Sequence, residues 1–272
     1  MIVDGAAVAE TILSDIRVRV GQLSSPPVLG VALVGDDQRS VFYVGKKQQT
    51  AQEVGIDFKL FHWPATISQA DLEQQITAAQ QQVDGLIIQL PLPASLQTDA
   101  VLNLIQPDKD VDCLTETNWR AIAVGAPIFL PPTPAAILAI LEHYHIDLPG
   151  KKIAVVGHGR LVGRPLCLIL EHVYQLPVML VRSLHDSLEQ VQSADIIITG
   201  IGKPKLLKAE MVKDGAVVID AGVSIVDGRS VGDVDFESVK DRASLISPAV
   251  GGVGPVTVAK LLENVVTAAE RK

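Results

Sequence analysis

Lys152-Ile153-Ala154-Val155-Val156-Gly157-His158-Gly159-Arg160-Leu161-Val162-Gly163 is the stretch that decides the fold. The apolar run that opens it reads as a strand buried on both faces. That strand runs directly into glycines spaced G-x-G-x-x-x-G, and helical sequence follows. A strand, a glycine turn and a helix in that order set backbone N–H groups and a helix N-terminus against a pyrophosphate. The last glycine falls one residue later than in the usual dinucleotide fingerprint, and a tight strand–helix turn without a ligand uses the same residues. Context favours the nucleotide, because the loop stands at the first βα turn of a series of parallel-type strands.

Downstream of the loop, the strand candidates are Val178–Arg182, Asp195–Gly200 and Ala216–Gly222, with helices between most of them. The second of these strands ends Leu180-Val181-Arg182-Ser183. No acid stands there to bond a ribose 2′-hydroxyl; an Arg suits the 2′-phosphate of NADP, although a solvated surface Arg reads the same way. Pro255–Ala269 is a terminal helix with Val258, Leu261, Leu262 and Val265 on one face. Upstream, Thr133 is placed to cap a helix that has Pro134 at its first position and runs to about Tyr144. Pro149-Gly150 makes a turn before the glycine-loop strand.

A separate series precedes these elements. Val28–Gly35, Phe58–Trp63 and Asp84–Leu90 read as strands, the last ended by Pro91 and Pro93. Arg39–Val54 has helical spacing, and Ser68 is an N-cap for a helix burying Leu72, Ile76 and Ala79. Strands alternating with helices imply βαβ units and parallel sheets. The fold class expected is α/β: two α/β domains around a cleft, the C-terminal one a Rossmann-like nucleotide-binding domain. Residues 1–120 form the first domain, the terminal helix 255–272 packs back on it, and residues 121–254 form the second.

Composition narrows the function. The chain has 272 residues, 48% hydrophobic and 20% charged, enough for two ordinary domains. Its apolar runs are far shorter than the roughly 20 residues a spanning helix needs, so no membrane association is expected. Asp4 and Glu10 near the start leave no signal-peptide pattern. Cys113 and Cys167 make neither a disulfide framework nor a metal spacing, which points to a reduced, cytoplasmic protein. The net charge of −8 argues against nucleic acid. The histidines show no ligand spacing, so no metal is expected; His143, His145 and His172 read as surface or packing residues, while His158 stands out by its loop position.

Three further features are candidates for chemistry. Ser40, Tyr43 and Lys47 are spaced i, i+3, i+7 and share one helix face. Such a face is ordinarily solvated; it becomes an acid–base site when burial or a charge lowers the lysine pKa. Gln89 sits at the carboxyl end of the third strand, where open α/β sheets bind ligands. Asp112 closes the charged cluster Lys109-Asp110-Val111-Asp112.

Together these pieces resemble the bifunctional methylenetetrahydrofolate dehydrogenase/methenyltetrahydrofolate cyclohydrolase (FolD) family over nearly the whole chain. The resemblance rests on Ser40-x-x-Tyr43-x-x-x-Lys47, Asp84 through Pro93, Lys109 through Asp112, and Pro132-Thr133-Pro134. It continues through Gly157–Pro165, Gly232-Asp233-Val234, Pro248 and Gly251 through Thr257. It implies oxidation of 5,10-methylenetetrahydrofolate to the methenyl compound with NADP⁺, then hydrolysis to 10-formyltetrahydrofolate. It implies that Tyr43 stacks on the folate rings, Lys47 activates water or relays a proton, Gln89 tunes Lys47, and Asp112 anchors the pterin. Ser40, Leu90, Pro91, Gly252 and Pro255 complete the substrate set. Gly157, His158, Gly159, Arg160, Val162, Gly163, Arg182, Ser183, Gly200, Ile201, Gly222 and Val223 are the residues it assigns to NADP. It also implies a homodimer acting on one-carbon derivatives of tetrahydrofolate.

The chain departs from the family pattern at Cys113-Leu114-Thr115, where Gly-Phe-His is usual, and at Asn118-Trp119-Arg120, where Asn-x-Gly is usual. It departs again at His158-Gly159, in place of Arg-Ser, and at Val250, in place of Pro. Two other readings compete. A shikimate-dehydrogenase-like oxidoreductase shares the two-domain plan and a catalytic Lys but leaves the Gln89 and Gly251–Thr257 blocks unexplained. A degenerate, non-catalytic folate- or nucleotide-binding protein would account for the departures but not for the retained Tyr43, Lys47, Gln89 and Asp112.

Overall fold

Runs of Val, Ile and Leu too short to span a membrane are the strands of two parallel sheets, each forming the centre of its own compact unit. The computed structural model describes residues 1–184 and 187–272; the remaining pair includes one of the six histidines, His185. The first elements are α1 (Gly5–Gln22), β1 (Val28–Val34), α2 (Gln38–Glu53), β2 (Asp57–Trp63), α3 (Gln69–Ala79) and β3 (Gly85–Ile88). Three helices follow: α4 (Thr98–Leu102), α5 (Glu116–Ala123) and α6 (Pro132–His143). Then come β4 (Ile153–Val156), α7 (Gly163–Leu168), β5 (Val178–Val181), α8 (Leu188–Ser193), β6 (Ile196–Thr199) and β7 (Val217–Asp220). The chain closes with β8 (Ser224–Val226), β9 (Arg229–Val231), α9 (Phe236–Val239), β10 (Leu245–Ile246) and α10 (Val253–Glu270).

The three-stranded unit takes Thr11–Ala121, Pro127–Pro132 and Val258–Lys272. Its sheet runs β2-β1-β3, all parallel, with Leu29 of β1 between Phe58 and Gly85. Central β1 is buried almost throughout, whereas edge β2 has half-buried Phe58, Phe61 and Trp63 among exposed positions. Ser68 caps α3 by accepting from the Asp71 N–H (3.1 Å), a bond worth about 1 kcal/mol, and Leu72, Ile76 and Ala79 are its buried face. Asn264 of α10 donates to the carbonyls of Val111 (2.8 Å) and Leu130 (2.9 Å). Arg19 grips the same helix through both oxygens of Glu270.

The five-stranded unit takes Met1–Glu10, Ile122–Ala126 and Thr133–Thr257. The first ten residues, expected in a first domain of residues 1–120, group with this unit. Ile2 bridges Ile246 in parallel, Val3 N–H donates to Ile246 O (2.9 Å) and Gly5 N–H to Gly251 O (2.9 Å), so the first residues extend this sheet. Helix α6 also begins two residues earlier than expected, at Pro132 rather than Pro134, which puts Thr133 inside the helix rather than at its cap.

This unit's sheet runs β10-β7-β6-β4-β5, every neighbouring pair parallel. Counted from β4 as the first strand, the order is 2-1-3-4-5, one of the two common doubly wound arrangements. The winding reverses between β4 and β6, and ligands of such sheets bind outside the carboxyl ends of the strands at that switch point. Ala154, Val156, Val181, Ile197, Val218 and Ile246 are among the residues of its core.

Candidate active site

Helix α2 starts at a cap that uses one of the expected site residues. Asp37 accepts from the Ser40 N–H (2.9 Å) and from the Ser40 hydroxyl (3.0 Å), so buried Ser40 is held in the cap. One turn on, Tyr43 is exposed and meets the ring of Phe42 edge-on at 5.6 Å. One turn further, half-buried Lys47 donates from Nζ to Gln89 Oε1 at 2.7 Å.

Gln89 reaches that position because its N–H continues the β1–β3 ladder to Ala32 O (2.8 Å), leaving its side chain at the strand's carboxyl end. Its Nε2 donates to Leu90 O at 2.9 Å, so the amide is pinned with Oε1 toward the lysine. The Leu90–Pro91 bond is cis, and Pro91 is exposed. Asp112 is the lysine's electrostatic neighbour. Burial pushes its carboxyl up to about 6, the Lys47 charge opposes that rise, and the Asp110 charge adds to it. Burial in turn lowers the Lys47 pKa, and Asp112 partly restores it. An amine aimed by an amide, with a carboxylate as its electrostatic neighbour, is an arrangement that can exchange protons.

Gly252 and Pro255, also expected at the substrate, belong to the five-stranded unit, where Gly252 is buried beside Gly5. The residues expected at NADP line one edge of that same unit. Gly157 follows β4 with φ +103°, a conformation open to glycine and costly for other residues. Gly163 follows from close approach, since a Cβ there would lie 2.0 Å from Gly157 O. His158 and Gly159 are exposed, Arg160 is half-buried and Val162 is buried. No side chain caps the start of α7. Arg182 is exposed directly after β5, with Ser183 next to it; Gly200 and Ile201 follow β6, while Gly222 and Val223 follow β7. These positions mark the carboxyl ends of four adjacent strands around the β4/β6 switch point, and an open glycine backbone with an uncapped helix start suits a pyrophosphate there. A hollow of about 310 Å³ lies at the opposite, amino-end edge, lined by residues including Lys151, Asp195 and Lys213. Lys213 is paired there with Asp195 at 2.6 Å.

Several residues that shape these sites were not singled out from the sequence. Buried Asp110 accepts from Leu114 N–H (3.1 Å), Thr115 N–H (2.9 Å) and Asn118 Nδ2 (2.9 Å), bracing the segment after Asp112. Lys109 donates to the carbonyls of Gln80 and Val83. Asp220 and Asp233 are buried at the nucleotide edge. The charged cluster and the Gly232-Asp233-Val234 block were their only signals. The departures also have places. Cys113 is fully buried with φ +57°, Trp119 Nε1 donates to Cys113 O (2.9 Å), and exposed Arg120 pairs with Glu116 (3.1 Å). Among the described residues, no cluster of three metal-ligating side chains is present and no helix is long and apolar enough to cross a membrane.

A doubly wound nucleotide-type sheet in one unit and a lysine–amide pair at a strand end in the other are the plan of a two-unit α/β dehydrogenase. The tetrahydrofolate dehydrogenase/cyclohydrolase catalytic-domain model matches residues 3–112, and the NAD(P)-binding-domain model of the same family matches residues 131–272. The chain belongs to the tetrahydrofolate dehydrogenase/cyclohydrolase family. The bifunctional protein FolD of Nautilia profundicola is 40% identical over 275 residues, covering 99% of this chain and 97% of that one. The bifunctional FolD crystal structure from Campylobacter jejuni superposes with a TM-score of 0.94 at 35% identity, covering 100% and 99% of the two chains. That of Trypanosoma brucei, complexed with NADP cofactor and inhibitor, does so with a TM-score of 0.93 at 32% identity, covering 100% and 97%. Two others share the fold alone: the NAD-dependent 5,10-methylenetetrahydrofolate dehydrogenase of Saccharomyces cerevisiae (23% identity, TM-score 0.81) and shikimate 5-dehydrogenase of Thermus thermophilus (16%, 0.52). The shikimate-dehydrogenase-like reading is thereby set aside, and the protein is a methylenetetrahydrofolate dehydrogenase/cyclohydrolase of one-carbon metabolism.

Proposed function

We propose that the three-stranded unit holds the folate and carries the hydrolytic step on Lys47, while the five-stranded unit holds NADP. The observation that carries this reading is the 2.7 Å bond from Lys47 to Gln89 in a buried setting beside Asp112. The glycine loop and Arg182 would hold NADP⁺, which would supply the hydride acceptor for oxidation of the methylene carbon. Tyr43 offers an exposed ring for stacking on the folate. Asp112 accepts hydrogen bonds from pterin N–H groups. Water adds its oxygen to the methenyl carbon and gives up one proton to neutral Lys47. Lys47 passes that proton to N5 as the carbon–N5 bond breaks; the new hydroxyl loses its remaining proton to solvent as the carbonyl forms, and the formyl group stays on N10. Gln89 keeps the amine aimed, because its own Nε2 is fixed on Leu90 O.

Lys47→Met is the test. Methenyl hydrolysis should be abolished while NADP⁺ binding and the fold persist; an unchanged hydrolysis rate overturns the assignment.

NADP rather than NAD is proposed because Arg182 ends β5 and no acid stands beside it. A guanidinium bonds a 2′-phosphate through charge-assisted hydrogen bonds. Arg182→Ala should cost roughly tenfold in NADP⁺ affinity, about 1.4 kcal/mol, and leave NAD⁺ affinity unchanged. An equal loss for both cofactors refutes this role. A homodimer is proposed on the exposed apolar residues Ile225 and Val226 of the β8–β9 hairpin, and light scattering on the purified protein decides it. Two free, buried cysteines support a cytoplasmic location.

A further inference from the structure

Strands β6 and β7 end at Thr199 and Asp220, and two buried carboxylates organise the chain that follows them. Asp233, 1% exposed, accepts from three consecutive backbone N–H groups. Its Oδ2 takes Ile201 (2.6 Å) and Gly202 (3.2 Å), and its Oδ1 takes Lys203 (2.8 Å). Asp220 accepts from the Thr199 hydroxyl (3.1 Å) and from the N–H groups of Gly222 (3.0 Å), Asp233 (3.2 Å) and Val234 (2.9 Å). The two segments interlock without spare room. A Cβ on Gly222 would lie 2.1 Å from the Asp233 carboxyl, and one on Gly232 would lie 2.0 Å from Asp220 Oδ2.

This interlock reaches the glycine loop through one layer of atoms. A Cβ on Gly157 would lie 3.0 Å from Ile201 Cγ1 and 3.2 Å from Gly200 O, so the chain after β6 is the floor beneath the loop after β4. Those two strands flank the switch point of the sheet. Asp233 therefore fixes, through three charge-assisted bonds, the backbone against which the cofactor loop rests.

We infer that Asp233 is a positioning residue of the nucleotide site: its carboxylate sets the Ile201–Lys203 backbone and, through it, the Gly157 loop that receives NADP. The inference rests on the nucleotide reading of that edge. Asp233→Asn keeps the shape but turns one acceptor oxygen into an amide donor facing an N–H. The KM for NADP⁺ should rise tenfold or more, with kcat at saturating cofactor reduced less than threefold. Hydrolysis of methenyltetrahydrofolate supplied directly, without nucleotide, should be unchanged. An unchanged KM overturns the inference, and so does an equal loss of both activities, which would mean that Asp233 only holds the fold together. Should that variant fail to fold, Ser224→Ala decides. It removes only the bond from the Ser224 hydroxyl to Gly202 O (2.9 Å) on the same loop and should raise the NADP⁺ KM twofold to fourfold. No rise overturns the inference. Gly159→Val tests the underlying reading separately, because a Cβ there meets only ordinary contact at 3.6 Å. Intact NADP⁺ binding in that variant would refute the nucleotide site itself, whatever Asp233 does.

Discussion

Replacing Gln89 by Leu should move the pH profile of methenyl hydrolysis downward. Lys47 acts as a base only in its neutral form, so the acidic limb of the profile follows its pKa. In the folded protein two forces compete at that amine: burial lowers the pKa and the Asp112 charge raises it. Gln89 adds a third, since its Oε1 accepts from Nζ at 2.7 Å and its orientation is fixed by the bond to Leu90 O. A hydrogen bond to a charged donor is worth about 1.5–3 kcal/mol and one between neutral groups about 0.5–1.5 kcal/mol. Loss of the acceptor thus costs the ammonium form about 1–1.5 kcal/mol more than the amine. At about 1.4 kcal/mol per pH unit, the limb should fall by about one unit. The maximal rate should fall as well, because nothing then aims the amine. Gln89→Glu should do the opposite, raising the limb by placing an anion against Lys47. Hydrolysis of methenyltetrahydrofolate, followed across pH for wild type and both variants, reads the two shifts with opposite signs. A limb that stays in place in both variants, or moves upward in Gln89→Leu, would refute the idea that Gln89 tunes Lys47.

Two more outcomes are expected. The Asp112 carboxyl titrates near 6 folded against its ordinary 3.8, so the folded chain holds this proton more tightly than the unfolded one. Its ionised form is penalised: the penalty is absent below about pH 4, grows as pH rises to about 6 and is full above that. Asp112→Asn should therefore gain stability relative to wild type across that window, on the order of 3 kcal/mol. Urea unfolding from about pH 4 to about pH 8 checks it, and a pH-independent difference refutes it. Cys113 holds φ +57° while fully buried, so a β-branched replacement meets backbone strain that glycine escapes. Cys113→Val should be less stable than Cys113→Gly by about 2 kcal/mol; equal thermal midpoints would mean that the backbone relaxes freely there.

Where residues declare themselves through periodicity, the sequence was sufficient. β4, β5, β6 and β7 are four-residue cores dominated by Val and Ile, and each lies inside the run expected for it, trimmed by a residue or two at the ends. Val28–Val34, Ser68 and the long stripe of α10 followed the same logic. What escaped was structure made by long-range pairing. Helix α1, with glycines at both ends, carries a weak apolar stripe. The three-residue strands β8 and β9 and the two-residue strand β10 are too short for any period to register. Met1 through Gly5 joined the five-stranded sheet through Ile246 and Gly251, partners some 240 residues away in sequence.

The candidate site divides along the same line. Tyr43 and Lys47 could be paired from spacing on one helix, and the glycine loop from its strand and turn. No spacing rule joins Lys47 to Gln89 across 42 residues, or Asp233 to Ile201 across 32. Such contacts are set by which strands become neighbours: the β2-β1-β3 order for the first, and the 2-1-3-4-5 order for the second. The order puts β6 beside β4, so the chain leaving β6 must pass under the glycine loop. It then needs an acceptor for N–H groups that no strand will take. Asp233 is that acceptor, brought in from the far side of the β8–β9 hairpin. An acid in Gly232-Asp233-Val234 thus reads as a solvated turn in one dimension and as the support of the cofactor edge in three.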